Sequence, residues 1–144
     1  MTLTEFLLAR IAEDEAAAVA AVTRSDDPAR DGVNEWVAVG GGTVVGPAFD
    51  SLRHLSLPSR EDATAQHIAR HDPARVLAEC EAKRRIVEIH RPHPFLLDDD
   101  RGEAWECEAC GGDVPASGAV TCPTTRALAT VYADHPDCDE TWRP

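Results

Sequence analysis

Cys107-Glu-Ala-Cys110-Gly-Gly112, with Cys122-Pro123 beyond it, is the stretch on which the reading of this chain turns. Thiolates separated by two residues on a tight turn can both reach one small, soft cation, and Zn²⁺ is the usual occupant. Glycine directly after the second cysteine lets the backbone turn sharply and aim amides at the sulfurs. Cys122 stands where a helix is predicted to begin, and the helix dipole there favours a thiolate. Four of the five cysteines lie at or after position 107. A C-terminal zinc knuckle with a short helix, at about residues 103–138, is therefore expected.

The arrangement has the form of half a treble-clef or ribbon-like zinc site. In such a site the helix supplies a second ligand about one turn after the first, but Thr125 and Arg126 stand there. A closed tetrahedral site needs four protein ligands, and His90, His93, His135 and Cys138 are the candidates for the fourth. His90 falls at the end of a predicted helix, on its apolar face, where a neutral imidazole could meet the knuckle. His135 and Cys138 are nearer to Cys122 in sequence, and Cys138 would complete a four-thiolate set. The competing reading is a set of buried, reduced thiols that bind nothing. A site with four protein ligands is structural, since a catalytic one keeps a position open for water.

Outward from the knuckle, Thr2-Leu-Thr-Glu5 has capping-box spacing. Leu3, Leu7, Ile11, Ala18 and Val22 then recur at helical intervals, with Phe6 and Leu8 widening the apolar surface, so an N-terminal helix to about residue 24 follows. Ser25-Asp-Asp-Pro28 and Asp31-Gly32 end it. Trp36-Val-Ala-Val39 and Thr43-Val-Val45 flank Gly40-Gly-Gly42 and predict a small antiparallel hairpin, with Leu52, Leu55 and Leu57 as a third strand of a meander. Pro47 marks an edge or bulge. The three glycines are no phosphate loop, because no Lys-Ser/Thr pair follows them and no helix starts there.

Ser59-Arg-Glu-Asp62 opens a second helix, and Asp72-Pro73 is an N-cap followed by a proline at the first helical position. The two together predict a long kinked helix to about Ile89, with Val76, Leu77, Cys80, Val87 and His90 on the inner face. Lys83, Arg84 and Arg85 read as a solvated face paired with Glu79, Glu81 and Glu88. Arg91-Pro-His-Pro94 stops the helix, and Glu103 to Glu106 is a candidate short strand. Asp98-Asp-Asp100 lacks the interleaved ligands and glycine of a calcium loop. Pro123 opens a helix to about Ala133, and a polar tail punctuated by Trp142 closes the sequence.

His67 and His71 are four apart on one helix face, with Asp72 adjacent, which would suit a metal-dependent hydrolase or nuclease. The zincin pattern needs glutamate after the first histidine, and Ile68 occupies that position. Hydrogen bonding at a helix end is the commoner fate of such histidines. Cys80 is most simply a small apolar core residue.

The composition sets bounds on all of this. At 144 residues, 43% hydrophobic and 28% charged, the sequence predicts one globular domain spanning 1–144, with a core of aliphatic residues because only 5% is aromatic. The net charge of −12 opposes direct binding to nucleic acid or anionic membranes, which takes phosphate neutralisation by Lys and Arg. An acidic inhibitor that mimics nucleic acid is an alternative function, although solubility accounts for the charge more simply. No targeting segment or membrane span is visible, so a cytoplasmic protein is expected and the cysteines read as metal ligands rather than disulfides.

Three stretches carry a resemblance: Thr4-Glu-Phe-Leu-Leu-Ala-Arg-Ile-Ala-Glu-Asp-Glu15; His67-Ile-Ala-Arg-His-Asp-Pro-Ala-Arg-Val-Leu-Ala-Glu79 with Ala82-Lys-Arg-Arg-Ile86; and Cys122-Pro-Thr-Thr-Arg-Ala-Leu128 with Tyr132-Ala-Asp-His-Pro136 and Trp142-Arg-Pro144. In these the chain resembles an uncharacterised family of small actinobacterial and actinophage proteins, a domain of unknown function. The resemblance implies cysteines ahead of the Cys122-Pro123 motif, a histidine near His90, and a variable, loop-like gap between Arg91 and Cys107. It places tyrosine where this chain has Cys138, which moves the fourth ligand to His90. It implies no reaction. The combined expectation is an α+β domain with Zn held by Cys107, Cys110, Cys122 and His90. Such a protein would act as an accessory or regulatory factor by binding a protein partner, without catalysis.

Overall fold

The computed structural model describes residues 1–21, 36–46, 54–56, 62–96, 103–111 and 122–143. The signals read from Val22, Ser25 to Pro28, Asp31-Gly32, Pro47, Leu52, Leu57, Ser59, Asp98 to Asp100 and Gly112 lie outside these residues. The fold is α+β. Its elements run α1 (Leu3–Ala21), β1 (Val37–Gly40), β2 (Thr43–Val45), β3 (His54–Ser56), α2 (Asp62–Arg70), α3 (Pro73–Ile89), β4 (Pro92–Leu96), β5 (Glu103–Cys107) and α4 (Pro123–Ala129). Short 3-10 turns follow at Thr130–Tyr132 and Glu140–Trp142. The chain divides into two compact units, one made of Met1–Ala12 with Glu81–Pro144 and the other of Glu13–Cys80.

In the first of these units, α1 begins with the reciprocal cap its sequence predicts. The Thr2 amide donates to Glu5 Oε2 at 2.7 Å, and the Glu5 amide donates to Thr2 Oγ1 at 3.2 Å. The bond from the Thr2 amide holds the Glu5 carboxyl below its ordinary pKa. Leu3, Phe6, Leu7, Arg10 and Ile11 are buried, the three-and-four spacing of a helix face. Leu8 is partly exposed instead of widening that face. The Phe6 ring lies 5.2 Å from Trp142, 5.9 Å from His135 and 6.3 Å from Tyr132, centroid to centroid. The tail that reads as polar is thus anchored by Trp142 in an aromatic cluster, and the buried Arg10 donates to the His135 ring from Nη1.

The interval between Arg91 and Cys107, expected as a loop ahead of a short strand at Glu103 to Glu106, contains that strand as β5 and a second, β4, paired with it antiparallel. Its register sets Pro92 opposite Cys107, His93 opposite Glu106 and Pro94 opposite Trp105. Prolines in the 92–94 stretch read as a helix stop, yet strands tolerate them here for a geometric reason. Successive strand residues point their amides to opposite edges, so prolines two apart both lack an N–H on the same edge. Among the described residues β4 has only β5 beside it, so its other edge has no ladder to serve.

In the Glu13–Cys80 unit, β1, β2 and β3 form the expected antiparallel meander in that order. Val37 faces Val45 and Ala38 faces Val44 across the hairpin, and Val44 faces Leu55 on the other side. Gly40, Gly41 and Gly42 all have positive φ, between 61° and 90°, which only glycine adopts readily. Asp62 Oδ1 accepts from the Gly42 amide at 3.1 Å and ties the turn to the start of α2, whose Ala65 is fully buried.

The long kinked helix is present as two segments, α2 and α3, that meet at His71-Asp72. Asp72 is buried and caps α3, accepting from the Arg75 amide at 2.8 Å, while Pro73 takes the first helical position. Its other carboxylate oxygen accepts from the Trp36 amide at 3.2 Å. Along α3 the Cys80 and Val87 side chains are buried, as its spacing predicts. Arg85 pairs with Glu81 at 2.9 Å and Arg75 with Glu79 at 2.7 Å.

Candidate metal centre

Four side chains from four local structures converge in the Met1–Ala12 and Glu81–Pro144 unit. His90 comes off the end of α3, where its amide still completes a helical bond to the Ile86 carbonyl at 3.1 Å. Two residues later β4 begins, and its first residue, Pro92, pairs with Cys107, the last residue of β5. The ladder therefore returns Cys107 to the helix end that carries His90. After Cys107 the chain folds into a tight turn, with the Cys110 and Gly111 amides both donating to the Cys107 carbonyl, at 3.2 and 2.8 Å. Gly111 has φ +58°, the left-handed conformation that lets the turn close and brings Cys110 back over Cys107. Cys122 sits at the N-cap of α4, ahead of Pro123.

His90 Nδ1 lies 3.5 Å from Cys107 Sγ, 3.3 Å from Cys110 Sγ and 3.5 Å from Cys122 Sγ. Cys110 Sγ and Cys122 Sγ are 3.5 Å apart, and all four atoms lie within 4.8 Å of one another. Bond lengths of about 2.3 Å to sulfur and about 2.1 Å to nitrogen give a regular zinc tetrahedron edges of roughly 3.6 Å (N to S) and roughly 3.8 Å (S to S). The observed separations sit close to those edges, and a single ion fits among the four atoms. Disulfide bonding does not explain the approach, because all five cysteines are free. Among the described residues this is the group of three or more His, Cys, Asp or Glu side chains whose ligand atoms come together.

One of the thiols, that of Cys122, is already biased toward the charged form that binds a metal. Burial pushes the Cys122 thiol up, but hydrogen bonds from the Thr125 amide, Cys110, the Thr124 amide and Cys107 outweigh it and lower the pKa from 9.0 to about 6. The Cys110 thiol is raised, chiefly by its hydrogen bond to Cys122. One sulfur thus carries charge that its neighbour's proton shares, and a cation replacing those protons meets a preformed cage. Thr125, which stands where a second helix ligand was sought, is buried and donates from Oγ1 to the Cys122 carbonyl at 3.0 Å. It braces the helix start instead of ligating.

The other candidates for the fourth position are elsewhere. His93 faces Glu106 at 3.7 Å, His135 packs against Arg10, and Cys138 Sγ lies 3.8 Å from the Asp139 carbonyl. Spacing alone could not separate these from His90; the pairing of β4 with β5 brings His90, and not the other three, beside the cysteines. In the Glu13–Cys80 unit the His67 and His71 rings stack at 4.6 Å between centroids, and both residues are exposed. Asp72 does not join them, since both its oxygens accept backbone amides. His71 borders a cavity of about 240 Å³ lined also by Asp14, Ala18, Trp36 and Val76, and His67 does not.

The chain belongs to a family of unknown function, DUF6221, whose model matches residues 1–144. No curated protein and no solved structure matches it.

Proposed function

We propose that this chain is a small zinc-stabilised accessory or regulatory protein that acts by binding another protein and performs no catalysis at its metal. Cys107, Cys110, Cys122 and His90 are its ligands, and Zn²⁺ is structural. The observation that carries the reading is the position of His90 Nδ1, 3.3 to 3.5 Å from each of three sulfurs. Three thiolates and an imidazole select a soft or borderline cation and suit zinc. A two-iron cluster would spread the ligands of opposite irons farther apart than one tetrahedron does. With four protein ligands the shell is closed, leaving no position for substrate or activated water.

Metal binding is then folding free energy for a segment with little apolar mass of its own. The ion joins α3, the β4–β5 ladder and α4, with Cys107 and Cys122 buried at the junction. A protein partner is supported by the apolar side chains this unit leaves exposed, with Val131 and Ile89 more than half accessible and Trp105 partly so. A net charge of −12 favours such a partner over nucleic acid. The reading places the protein in the reducing cytoplasm, where thiolate ligands persist, and no described helix is long and apolar enough to cross a membrane.

Elemental analysis of the purified protein tests the centre directly. About one zinc per chain is expected, with loss of α4 and ladder structure on chelation. Protein that is fully folded and free of metal would overturn the assignment. Crosslinked capture with metal-loaded and chelated protein tests the partner, which should be retained only by the loaded form.

A further inference from the structure

The three sulfurs of the centre are not equally accessible. Cys107 and Cys122 are 3% and 4% exposed, whereas Cys110 opens to solvent at the tip of its turn. The exposed sulfur is also 3.5 Å from that of Cys122. A disulfide bond is about 2.05 Å long, so closing the pair takes a movement of about 1.5 Å. Cys110 is thus both the thiolate a small oxidant meets first and one with a second thiol already at its side.

We infer that the centre is a redox-modification site, at which hydrogen peroxide converts Cys110 and Cys122 to an intramolecular disulfide and expels the metal. The inference rests on the metal reading above. In the first step Cys110 Sγ attacks one peroxide oxygen, an S–O bond forms and the O–O bond breaks. The products are a sulfenic acid on Cys110 and hydroxide; the sulfur has lost two electrons and the peroxide has gained them. In the second, Cys122 Sγ attacks the Cys110 sulfur, the S–S bond forms and the S–O bond breaks. A second hydroxide leaves, and both hydroxides take protons from solvent to give water.

Two of the four ligands are consumed by this sequence. Cys107 and His90 remain, and two donors do not make a tetrahedral zinc shell. Oxidation of one surface sulfur is thereby converted into loss of the ion that joins α3, β5 and α4. The step is reversible, since a dithiol reductant returns both thiolates. Cys138, the other accessible thiol, lies outside the cluster and is a built-in control, and the buried Cys80 has no access to oxidant.

The test uses the full-length, reduced, zinc-loaded protein, with its metal content measured first. Hydrogen peroxide is titrated in beside a zinc-reporting chromophore, remaining thiols are alkylated, and disulfides are mapped by peptide mass spectrometry. About one zinc released per disulfide is expected, with Cys110 linked to Cys122, and with dithiothreitol plus zinc restoring the starting state. Cys138→Ser should leave yield and release unchanged, and Cys122→Ser should stop at a sulfenic acid on Cys110 that dimedone traps. A dominant Cys107–Cys110 disulfide, a product joined through Cys138, or zinc retained after oxidation would each overturn the inference. Protein that contains no zinc at the outset sinks the metal reading instead. Mapping of that same sample still decides the present inference, because the sulfur geometry alone predicts the Cys110–Cys122 product.

Discussion

Replacing His90 by alanine removes one of the four proposed donors and leaves the three sulfurs in place. Structural zinc sites hold their ion with roughly 10–16 kcal/mol at neutral pH, so an equal share for each of four ligands is about 2.5–4 kcal/mol. His90 is half-buried, which lets a water enter the vacated position and sets the expected loss nearer the lower end. At about 1.4 kcal/mol per factor of ten, affinity should fall by roughly 10²-fold. Competition against a chromophoric chelator measures this directly, with circular dichroism checking that α1 and α3 persist. His90→Cys restores a donor and should recover part of the loss. His93→Ala, His135→Ala and Cys138→Ala, whose side chains lie outside the cluster, should bind zinc within about twofold of the unaltered protein. The reasoning fails if His90→Ala holds zinc as tightly as the parent, or if one of the three controls loses it.

Acidification should destabilise the metal-free protein. The folded-state pKa of Cys122 is depressed from 9.0 to about 6, so its contribution is present above the unfolded value and disappears as pH falls through about 6. Thermal midpoints recorded between pH 8 and 5.5 should decline, and Cys122→Ala should flatten the decline; an unchanged slope in that variant would reject the cause. Phe6→Ala empties a fully buried site ringed by Trp142, His135 and Tyr132 and should cost about 3–5 kcal/mol in urea unfolding. Asp72→Ala removes the α3 cap and the acceptor for the Trp36 amide, for a loss of about 1–3 kcal/mol. His67→Ala and His71→Ala, on exposed residues, should stay within about 0.5 kcal/mol of the parent.

The parts of the fold that were legible in the sequence are those decided within a few residues. Thr2 and Glu5 complete a reciprocal cap, Asp72-Pro73 sets a helix start, and three glycines permit a tight turn between alternating valines. Each is a local dihedral or hydrogen-bond requirement. The cysteine pattern likewise announced a cage, because two thiols in a CxxC turn have little else to share. The approach of His90 to the cysteines depends on a strand pairing of residues 92–96 with 103–107, and local pattern hid the first of those strands because Pro92 and Pro94 signal a break in a helix. Trp142 was hidden for a similar reason. Its partner Phe6 lies at the other end of the chain, and a single tryptophan in a polar segment carries no periodicity to reveal a core position.

Cys110 and Cys122 stand 12 positions apart, and their sulfurs are neighbours at one point in space. The entropy of closing that loop is supplied by whatever holds the two sulfurs, and it grows only with the logarithm of length. Doubling the interval adds about 0.6 kcal/mol, a small amount beside the binding energy of a structural ion. Doubling the number of residues between Cys110 and Cys122 should therefore weaken retention of an ion held by both sulfurs by only about threefold.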